Sequence, residues 1–164
     1  MERRLFIIRH AKSSWDHQGL DDIDRPLAER GIRNAGEMAE RMKAEDMVPQ
    51  LLFSSPANRA LSTARIMARI WEIDPSFLQI HDELYMAYVS EIFEVIERAP
   101  DEVANLAIFG HNPSFTELAN VFLEDPMDNL PTAGVVVVTF ESHRWEGIRL
   151  EKVLQCHVNF PKKK

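Results

Sequence analysis

Short apolar runs alternate along the chain with longer segments in which apolar residues recur every three or four positions. This alternation limits the possible folds most strongly. A short apolar run is typical of a buried strand, and apolar residues that recur every three or four positions are typical of an amphipathic helix. The predicted strands are 5–8, 51–53, 77–80, 105–109, 135–140 and 148–154. The predicted helices are 28–44, 56–71, 90–98 and 113–123.

Strands that alternate with helices predict a parallel or mostly parallel sheet covered on both faces. The predicted fold is therefore of the α/β class, a three-layer α/β/α sandwich with a mostly parallel central sheet. A chain of 164 residues, 45% of them hydrophobic, is long enough for one well-buried core and short for two. We predict a single domain over residues 1–160, followed by a solvated basic tail at 161–164.

The charge and the few cysteines restrict the possible partners and the location. A net charge of −7 argues against a nucleic acid or an anionic membrane surface as the main partner, since both normally require a basic face. The single cysteine, Cys156, can form no disulfide within the chain and suits a reducing cytoplasm. The remaining histidines show no metal-ligand spacing: His17, His81, His143 and His157. We expect a cytoplasmic protein, with a monomer favoured, that contacts neither nucleic acid nor membrane.

Three of the predicted strands end in polar residues. If the strands are parallel, these ends lie at one edge of the sheet, where open α/β sheets bind their ligands. Helix N-termini favour anions, and arginine side chains match the spread of phosphoryl oxygens. The pattern therefore predicts a phosphate site, the alternative being strands followed by solvated polar loops. The ends are Arg9-His10, Ser55-Pro56 with Arg59, and Gly110-His111-Asn112-Pro113.

The pair Arg9-His10, followed by a small residue, resembles the motif of the histidine phosphatase superfamily, the phosphoglycerate-mutase-like proteins. Within that superfamily the chain is similar to the SixA-type phosphohistidine phosphatases, in motifs that run in the expected order from residue 5 to about 140. Each motif is weak alone, but together they are specific. They are Arg9 to Trp15, Arg25-Pro26-Leu27 with Gly31, Ser54-Ser55-Pro56 with Arg59 and Thr63-Ala64, Glu83-Leu84-Tyr85, Gly110-His111-Asn112-Pro113, and Leu130-Pro131-Thr132.

The resemblance implies a phosphatase that works through a covalent intermediate and needs no metal or other cofactor. His10 would attack phosphorus through a ring nitrogen and form a phosphohistidine that water later hydrolyses. An imidazole attacks only when it is neutral, so Arg9 and Arg59 are expected to disfavour the imidazolium as well as to hold the phosphoryl oxygens. His111 would be a second imidazole hydrogen-bonded to the phosphoryl group.

Three residues of the first loops are candidate substrate-binding groups, each with a plain alternative. Lys12 and Ser13 follow the proposed nucleophile closely and are candidates to touch phosphate, although a solvated loop lysine is nearly as plausible. Arg25 either clasps a carboxylate in the site loop or caps a turn.

The resemblance also raises the question of a general acid. Many relatives carry a glutamate just after the third strand that protonates the leaving oxygen of an ester, and that position is Tyr85 here. Glu83 lies two residues earlier and remains a candidate for the site. An imidazole leaving group needs less protonation than an alkoxide, so this departure favours phosphohistidine as the substrate.

The sequence thus predicts an enzyme that removes phosphate from phosphohistidine on a protein. A small-molecule phosphomonoesterase and a catalytically weak, anion-binding regulatory module remain the alternatives. A pure anion binder needs no second imidazole, which favours the enzyme. Because no long insertion lies between the third strand and Gly110, we expect an uncovered site that receives a phosphorylated protein side chain or a small phosphate compound.

Overall fold

The computed structural model describes residues 1–161, so most of the predicted tail at 161–164 lies outside the described residues. Within them, no helix has the length and apolar surface needed to cross a membrane. The predicted single domain and cytoplasmic location stay predictions. The strands are β1 Glu2–Arg9, β2 Leu51–Ser54, β3 Leu78–Ile80, β4 Asn105–Gly110, β5 Val135–Glu141 and β6 Lys152–Asn159. The main helices are α1 Glu29–Ala44, α2 Asn58–Ile70, α3 Val89–Ile96 and α4 Ser114–Phe122.

The six strands form one sheet in the order β3-β2-β4-β1-β5-β6. The pairs β1 with β4, β4 with β2 and β2 with β3 are parallel, whereas β5 runs antiparallel to β1 and β6 antiparallel to β5. The backbone N–H of Ala133 donates to the carbonyls of Arg9 and His10, so β5 starts beside the end of β1 and runs back in the opposite direction. The mostly parallel sheet is therefore observed, with two antiparallel strands at one edge.

Both faces of the sheet are covered, which gives the predicted three layers. Successive side chains of β1 point to opposite faces, as the geometry of a strand requires. Leu5 and Ile7 pack in the cluster that includes α3 and α4. Phe6 and Ile8 pack in the cluster that includes α1 and α2. This explains why β1 is a continuous apolar run, since each buried side chain of this size contributes about 1.5–3 kcal/mol.

The last strand differs from its prediction. Residues 148–154 were expected to form it, but Ile148–Leu150 forms a 3-10 turn and β6 begins at Lys152. Gly147 precedes this turn with φ of +73°, a left-handed conformation that favours glycine. Ile148 is buried in the core from this turn, so its apolar character reflects packing of a loop and not strand pairing.

Candidate active site

The predicted polar ends of three strands lie side by side. In the register of β1 with β4, His10 and His111 follow the strands at the same level, and their ring centroids are 5.3 Å apart. The N–H of His10 donates to the carbonyl of Gly110 at 3.0 Å. On the next strand, the N–H of Ser55 donates to the carbonyl of Phe109 at 3.0 Å. The adjacency of β2, β4 and β1 therefore gathers these ends at the carboxyl edge of the sheet.

Two helices fix the chain just after His10. The N–H of Ala11 donates to Oγ1 of Thr63 on α2 at 2.9 Å, and the carbonyl of Lys12 accepts from Ala28, immediately before α1, at 2.9 Å. A Cβ atom on Gly31 would lie 2.1 Å from the Lys12 carbonyl oxygen. Only glycine permits this close approach of α1 to the loop, which explains its place in the motif.

His10 is held as a neutral imidazole with one free nitrogen. Its Nδ1 lies 2.7 Å from the carbonyl oxygen of Ala11, which can only accept, so Nδ1 carries the proton and Nε2 has the lone pair. Burial of the ring, followed by the charges of Arg9, Arg59 and Arg25, lowers the pKa of His10 to about 4. Arg9 and Arg59 lower this pKa as predicted, but burial is the larger cause. Arg25 is a third cation whose effect on the pKa of His10 was not predicted.

His111 is also neutral, and a serine fixes its tautomer. Burial and the neighbouring His10 lower the pKa of His111 to about 3. The Ser55 hydroxyl lies 2.8 Å from Nε2 of His111 and accepts from the N–H of Ala57 at 3.2 Å. We assign the hydroxyl proton to the bond with Nε2, an assignment that places the ring proton on Nδ1. Ser55 is therefore a partner of His111. The helix α2 begins two residues later than expected, at Asn58.

The two arginines present donors whose partners are incomplete. Nη1 of Arg9 donates to the carbonyl of Leu130 at 3.0 Å, and the outer nitrogens of Arg59 contact Asp22. Three buried nitrogens of this cluster have no hydrogen-bond partner within residues 1–161: Nε of Arg9, Nε of Arg59 and Nδ1 of His111. A buried donor without a partner costs about 1–3 kcal/mol, so these groups form a site that an anion would satisfy.

Arg25 contacts Ser13, which the sequence predicted as a site residue, and Asp22, which it did not. Its Nη1 donates to the Ser13 hydroxyl at 2.8 Å and its Nε contacts Oδ1 of Asp22 at 3.2 Å. Its guanidinium carbon lies 3.6 Å from the ring centroid of Trp15, a cation–π contact. The structure shows both contacts left open for Arg25: its side chain contacts the Asp22 carboxylate, and its backbone N–H caps the turn Asp22–Asp24 by donating to the Asp22 carbonyl at 3.2 Å. Ser13 lies beside Arg25.

Lys12 and Glu83 are placed differently from the cluster. Lys12 is half-buried, and its backbone carbonyl accepts the hydrogen bond from the N–H of Ala28. The Glu83 carboxylate is exposed and pairs with Arg98, so the structure does not bring it together with the histidines. Tyr85 reaches the cluster instead, since its ring stands edge-on to His111 with centroids 5.5 Å apart.

Asp22 is the residue that sequence reasoning missed. It lies in the loop 16–26, and its carboxylate accepts from the Tyr85 hydroxyl at 2.6 Å and from Arg59 at 3.0 Å. The Tyr85 hydrogen bond and the Arg59 contact hold the pKa of Asp22 at about 2, so it is ionised. The site that we expected to be uncovered therefore contains the carboxylate of Asp22 beside Arg59. No local signal distinguishes Asp22 within this acidic loop, whereas Ser55 belongs to one of the three polar strand ends that the sequence singles out.

The fold and the cluster define a class, an α/β protein with a histidine–arginine site at the carboxyl edge of its sheet. Residues 5–113 match the histidine phosphatase superfamily, branch 1. The chain belongs to this superfamily.

Three known proteins illustrate the relationship. An uncharacterised protein of Mycobacterium tuberculosis is 32% identical over 146 residues, which cover 83% of this chain and 89% of that protein. The crystal structure of a candidate phosphohistidine phosphatase SixA from Agrobacterium tumefaciens is 25% identical with a TM-score of 0.77, covering 94% of this chain and 97% of that one. A protein histidine phosphatase SixA complexed with tungstate is 22% identical with a TM-score of 0.75, covering 93% and 95% of the two chains, and shows the fold alone. The phosphoglycerate-mutase-like fold is confirmed, and membership of the superfamily supports phosphatase activity.

Proposed function

We propose that this protein is a metal-independent phosphatase that forms a phosphohistidine on His10 and removes phosphate from phosphohistidine side chains of another protein. One observation carries the proposal. The free Nε2 of a buried, neutral His10 lies among cationic groups whose buried donors lack partners within residues 1–161. A nucleophile and the donors for phosphoryl oxygens are thus available at one place.

In the first step, the Nε2 lone pair of His10 attacks phosphorus. The Nε2–P bond forms, the bond from phosphorus to the leaving imidazole nitrogen breaks, and its electron pair departs with that imidazole, which takes up one proton from solvent on its other ring nitrogen and so leaves neutral. Arg9, Arg59 and the Nδ1–H of His111 donate to the three non-bridging oxygens, where charge is spread in a loose transition state. The positive charge that develops on His10 is stabilised by its Nδ1–H bond to the Ala11 carbonyl.

In the second step, water attacks phosphorus. The P–Nε2 bond breaks, its electron pair returns to His10, and phosphate leaves with the proton of the water passing to solvent. Arg9 and Arg59 supply the positive charge that a metal ion supplies in other phosphoryl-transfer enzymes. Turnover should therefore be unchanged after dialysis against EDTA, and restoration of activity by an added divalent cation would contradict metal independence.

The choice of phosphohistidine as the substrate follows from the leaving group. Glu83 pairs with Arg98 away from the histidines, so the carboxylic acid that an alkoxide would need is not presented by this residue. An imidazole leaves from phosphorus with less protonation. The similarity to the SixA proteins agrees with this choice.

The covalent intermediate is tested by trapping. After brief reaction with phosphoimidazole, the wild type should carry an acid-labile phosphate on His10, and His10→Ala should lose turnover while keeping its unfolding temperature. His17→Ala, at an exposed histidine of the first loop, is the matched control and should behave as the wild type. A label on another residue, or full activity of His10→Ala, would overturn the assignment.

Substrate class is tested by comparing kcat/KM on a phosphohistidine-bearing protein domain with that on an aryl phosphate at one pH. We expect the phosphohistidine domain to be the better substrate and Glu83→Gln to change neither value. Faster turnover of the aryl phosphate, lost selectively in Glu83→Gln, would identify a phosphomonoesterase with Glu83 as its acid. Binding of phosphate without turnover of either compound would identify a regulatory module.

A further inference from the structure

Asp22 occupies the two outer nitrogens of the Arg59 guanidinium, one with its main-chain carbonyl and one with its carboxylate. Nη1 of Arg59 donates to the main-chain carbonyl of Asp22 at 2.7 Å, and Nη2 donates to Oδ2 of the same residue at 3.0 Å. A phosphoryl group that binds an arginine in the two-pronged manner needs such a pair of parallel N–H groups. Asp22 and a phosphoryl group therefore compete for the same donors.

The Asp22 carboxylate is held by three donors in all. Besides Arg59, the Tyr85 hydroxyl donates to Oδ2 at 2.6 Å and Nε of Arg25 contacts Oδ1 at 3.2 Å. These groups belong to α2, to the turn after β3 and to the first loop, so one carboxylate joins three parts of the site. A planar anion with two oxygens held by cations resembles the phosphoryl group that these cations would bind.

The segment that carries Asp22 is attached in a way that permits exchange. The 3-10 turn Asp22–Asp24 contains no buried residue, and 51% of the Asp22 side chain is exposed. The turn is further tied by a hydrogen bond from Asn58 to the carbonyl of Asp24 at 3.2 Å. Its base is fixed separately, since Ser14 donates to the carbonyl of Pro26 at 2.9 Å. Displacement of the turn therefore breaks polar contacts that water can replace, and the apolar side chain that it uncovers further is that of Ile23, which is only half-buried.

We propose that Asp22 is a specificity-determining residue whose carboxylate competes with phosphate anions for Arg59 and repels them, so that free phosphates and the phosphate product bind weakly. This inference rests on the proposed phosphate site. After hydrolysis the carboxylate returns to Arg59 and helps to expel inorganic phosphate. Asp22 keeps its charge throughout the neutral range, because the Tyr85 hydrogen bond and Arg59 hold its pKa at about 2.

A purely positioning role would have the opposite sign. If Asp22 served only to orient Arg59, its removal would loosen the guanidinium and weaken anion binding. If it competes, removal of its charge strengthens anion binding. The sign of one measured change therefore separates the two roles.

The experiment measures binding of tungstate and of inorganic phosphate by calorimetry, without any need for turnover. Asp22→Asn keeps the size and one oxygen acceptor but removes the charge, and it should bind both anions about tenfold more tightly, since a charge within ~4–6 Å changes ionic affinity by one or more decades. Asp24→Asn removes the same charge from the same turn and is the matched control. It should stay within about twofold of the wild type, because solvent screens an exposed charge at longer range. Asp22→Glu keeps the charge and should retain weak binding.

The kinetic readout gives a second, independent test. In Asp22→Asn the KM for an aryl phosphate and the inhibition constant of inorganic phosphate should fall by the same factor, while kcat does not rise. Equal or weaker anion binding by Asp22→Asn would overturn the inference, as would the same gain in Asp24→Asn.

Failure of the inference is distinguishable from failure of the proposed function. Loss of tungstate binding in Arg59→Ala establishes that the anion occupies this site, and with that result an unchanged Asp22→Asn overturns only the competition. If neither the wild type nor Asp22→Asn binds tungstate and no phosphate is trapped on His10, both the inference and the proposed function are wrong.

Discussion

At the scale of single residues, two oxygen atoms decide the chemistry of the two histidines. The Ala11 carbonyl accepts a hydrogen bond from Nδ1–H of His10, so Nε2 of His10 keeps its lone pair. The Ser55 hydroxyl occupies Nε2 of His111 and leaves its Nδ1–H free to donate. The opposite functions that we propose for the two imidazoles, one as a nucleophile and one as a donor, rest on this difference in their hydrogen-bond partners.

The contribution of Arg59 can be measured directly. Arg59→Ala should lower kcat/KM on phosphoimidazole by roughly 10²-fold or more, since one donor to a developing oxyanion contributes about 2.7–4 kcal/mol. Arg59→Lys should recover only part of this, because an ammonium cannot provide two parallel donors. Arg65→Ala, at an exposed position of α2, serves as the control and should leave kinetics unchanged. A lysine variant equal to the wild type would show that the two-pronged contact is not used.

The contribution of Ser55 is smaller and more specific. Ser55→Ala should lower kcat/KM by about fivefold to tenfold, which corresponds to one neutral hydrogen bond of ~1 kcal/mol. Ser54→Ala removes a neighbouring buried hydroxyl that bonds the Ser55 carbonyl, and it should leave kcat/KM unchanged. If both variants lose activity equally, the effect arises from the strand end as a whole and the tautomer assignment is wrong.

At the scale of elements, the site depends on how closely α1 approaches the loop after β1. The Lys12 carbonyl accepts from Ala28 just before the helix, and Gly31 in its first turn leaves room for that carbonyl. The helix therefore fixes the backbone two residues beyond His10. A change in this contact should affect the stability of the fold and the position of the nucleophile together.

The pair Gly31 and Gly36 tests this packing on one helix. Gly31→Ala should lower the free energy of unfolding by about 1–3 kcal/mol, because its Cβ would lie 2.1 Å from the Lys12 oxygen and the backbone must shift. Gly36→Ala meets its nearest atom at 3.7 Å and should be neutral or raise stability by about 0.5–1 kcal/mol through helix propensity. Urea unfolding measures both. Equal effects of the two substitutions would show that the close approach is relaxed in solution.

At the scale of the whole molecule, the strand order β3-β2-β4-β1-β5-β6 creates the site and also its sensitivity to acid. The three polar strand ends belong to neighbouring strands, so the two histidines lie side by side at the carboxyl edge of the sheet, where both are buried. Burial lowers the pKa of His10 to about 4 and that of His111 to about 3. The folded state therefore resists protonation of both rings.

The pH dependence of stability follows with a definite sign. An unfolded histidine titrates near ~6.5, so below that pH the unfolded state binds more protons than the folded state and is favoured. The stability contributed by neutral histidines is complete above this value and is lost as the pH falls towards the folded pKa values. Between about pH 7 and 5 the loss should be on the order of 2 kcal/mol for each histidine.

Urea unfolding at these two pH values checks this expectation. His10→Gln should show a smaller loss than the wild type, whereas His17→Gln should show the same loss. If the free energy of unfolding of the wild type is the same at both pH values, this result would contradict the neutral, buried state of the histidines.

The sequence by itself determined the parts of this protein that local rules specify. The apolar run of β1 with Arg9-His10 at its end predicted a buried strand that brings these two side chains to the edge of the sheet. The periodic segments predicted α1 and α2, and alternation predicted the three layers. These features follow from the periods of helices and strands and from the direction of parallel strands, both of which are properties of short segments.

Only the tertiary structure decided which groups meet. Asp22 accepts a hydrogen bond from Arg59, 37 residues away along the chain, and Ser55 is hydrogen-bonded to His111, 56 residues away. Burial, the main cause of the low pKa of His10, also depends on the layers that close around it. No local pattern encodes such contacts, because hydrogen bonds and desolvation depend on distances in space, and those distances are set only when the sheet, its helices and its loops pack together.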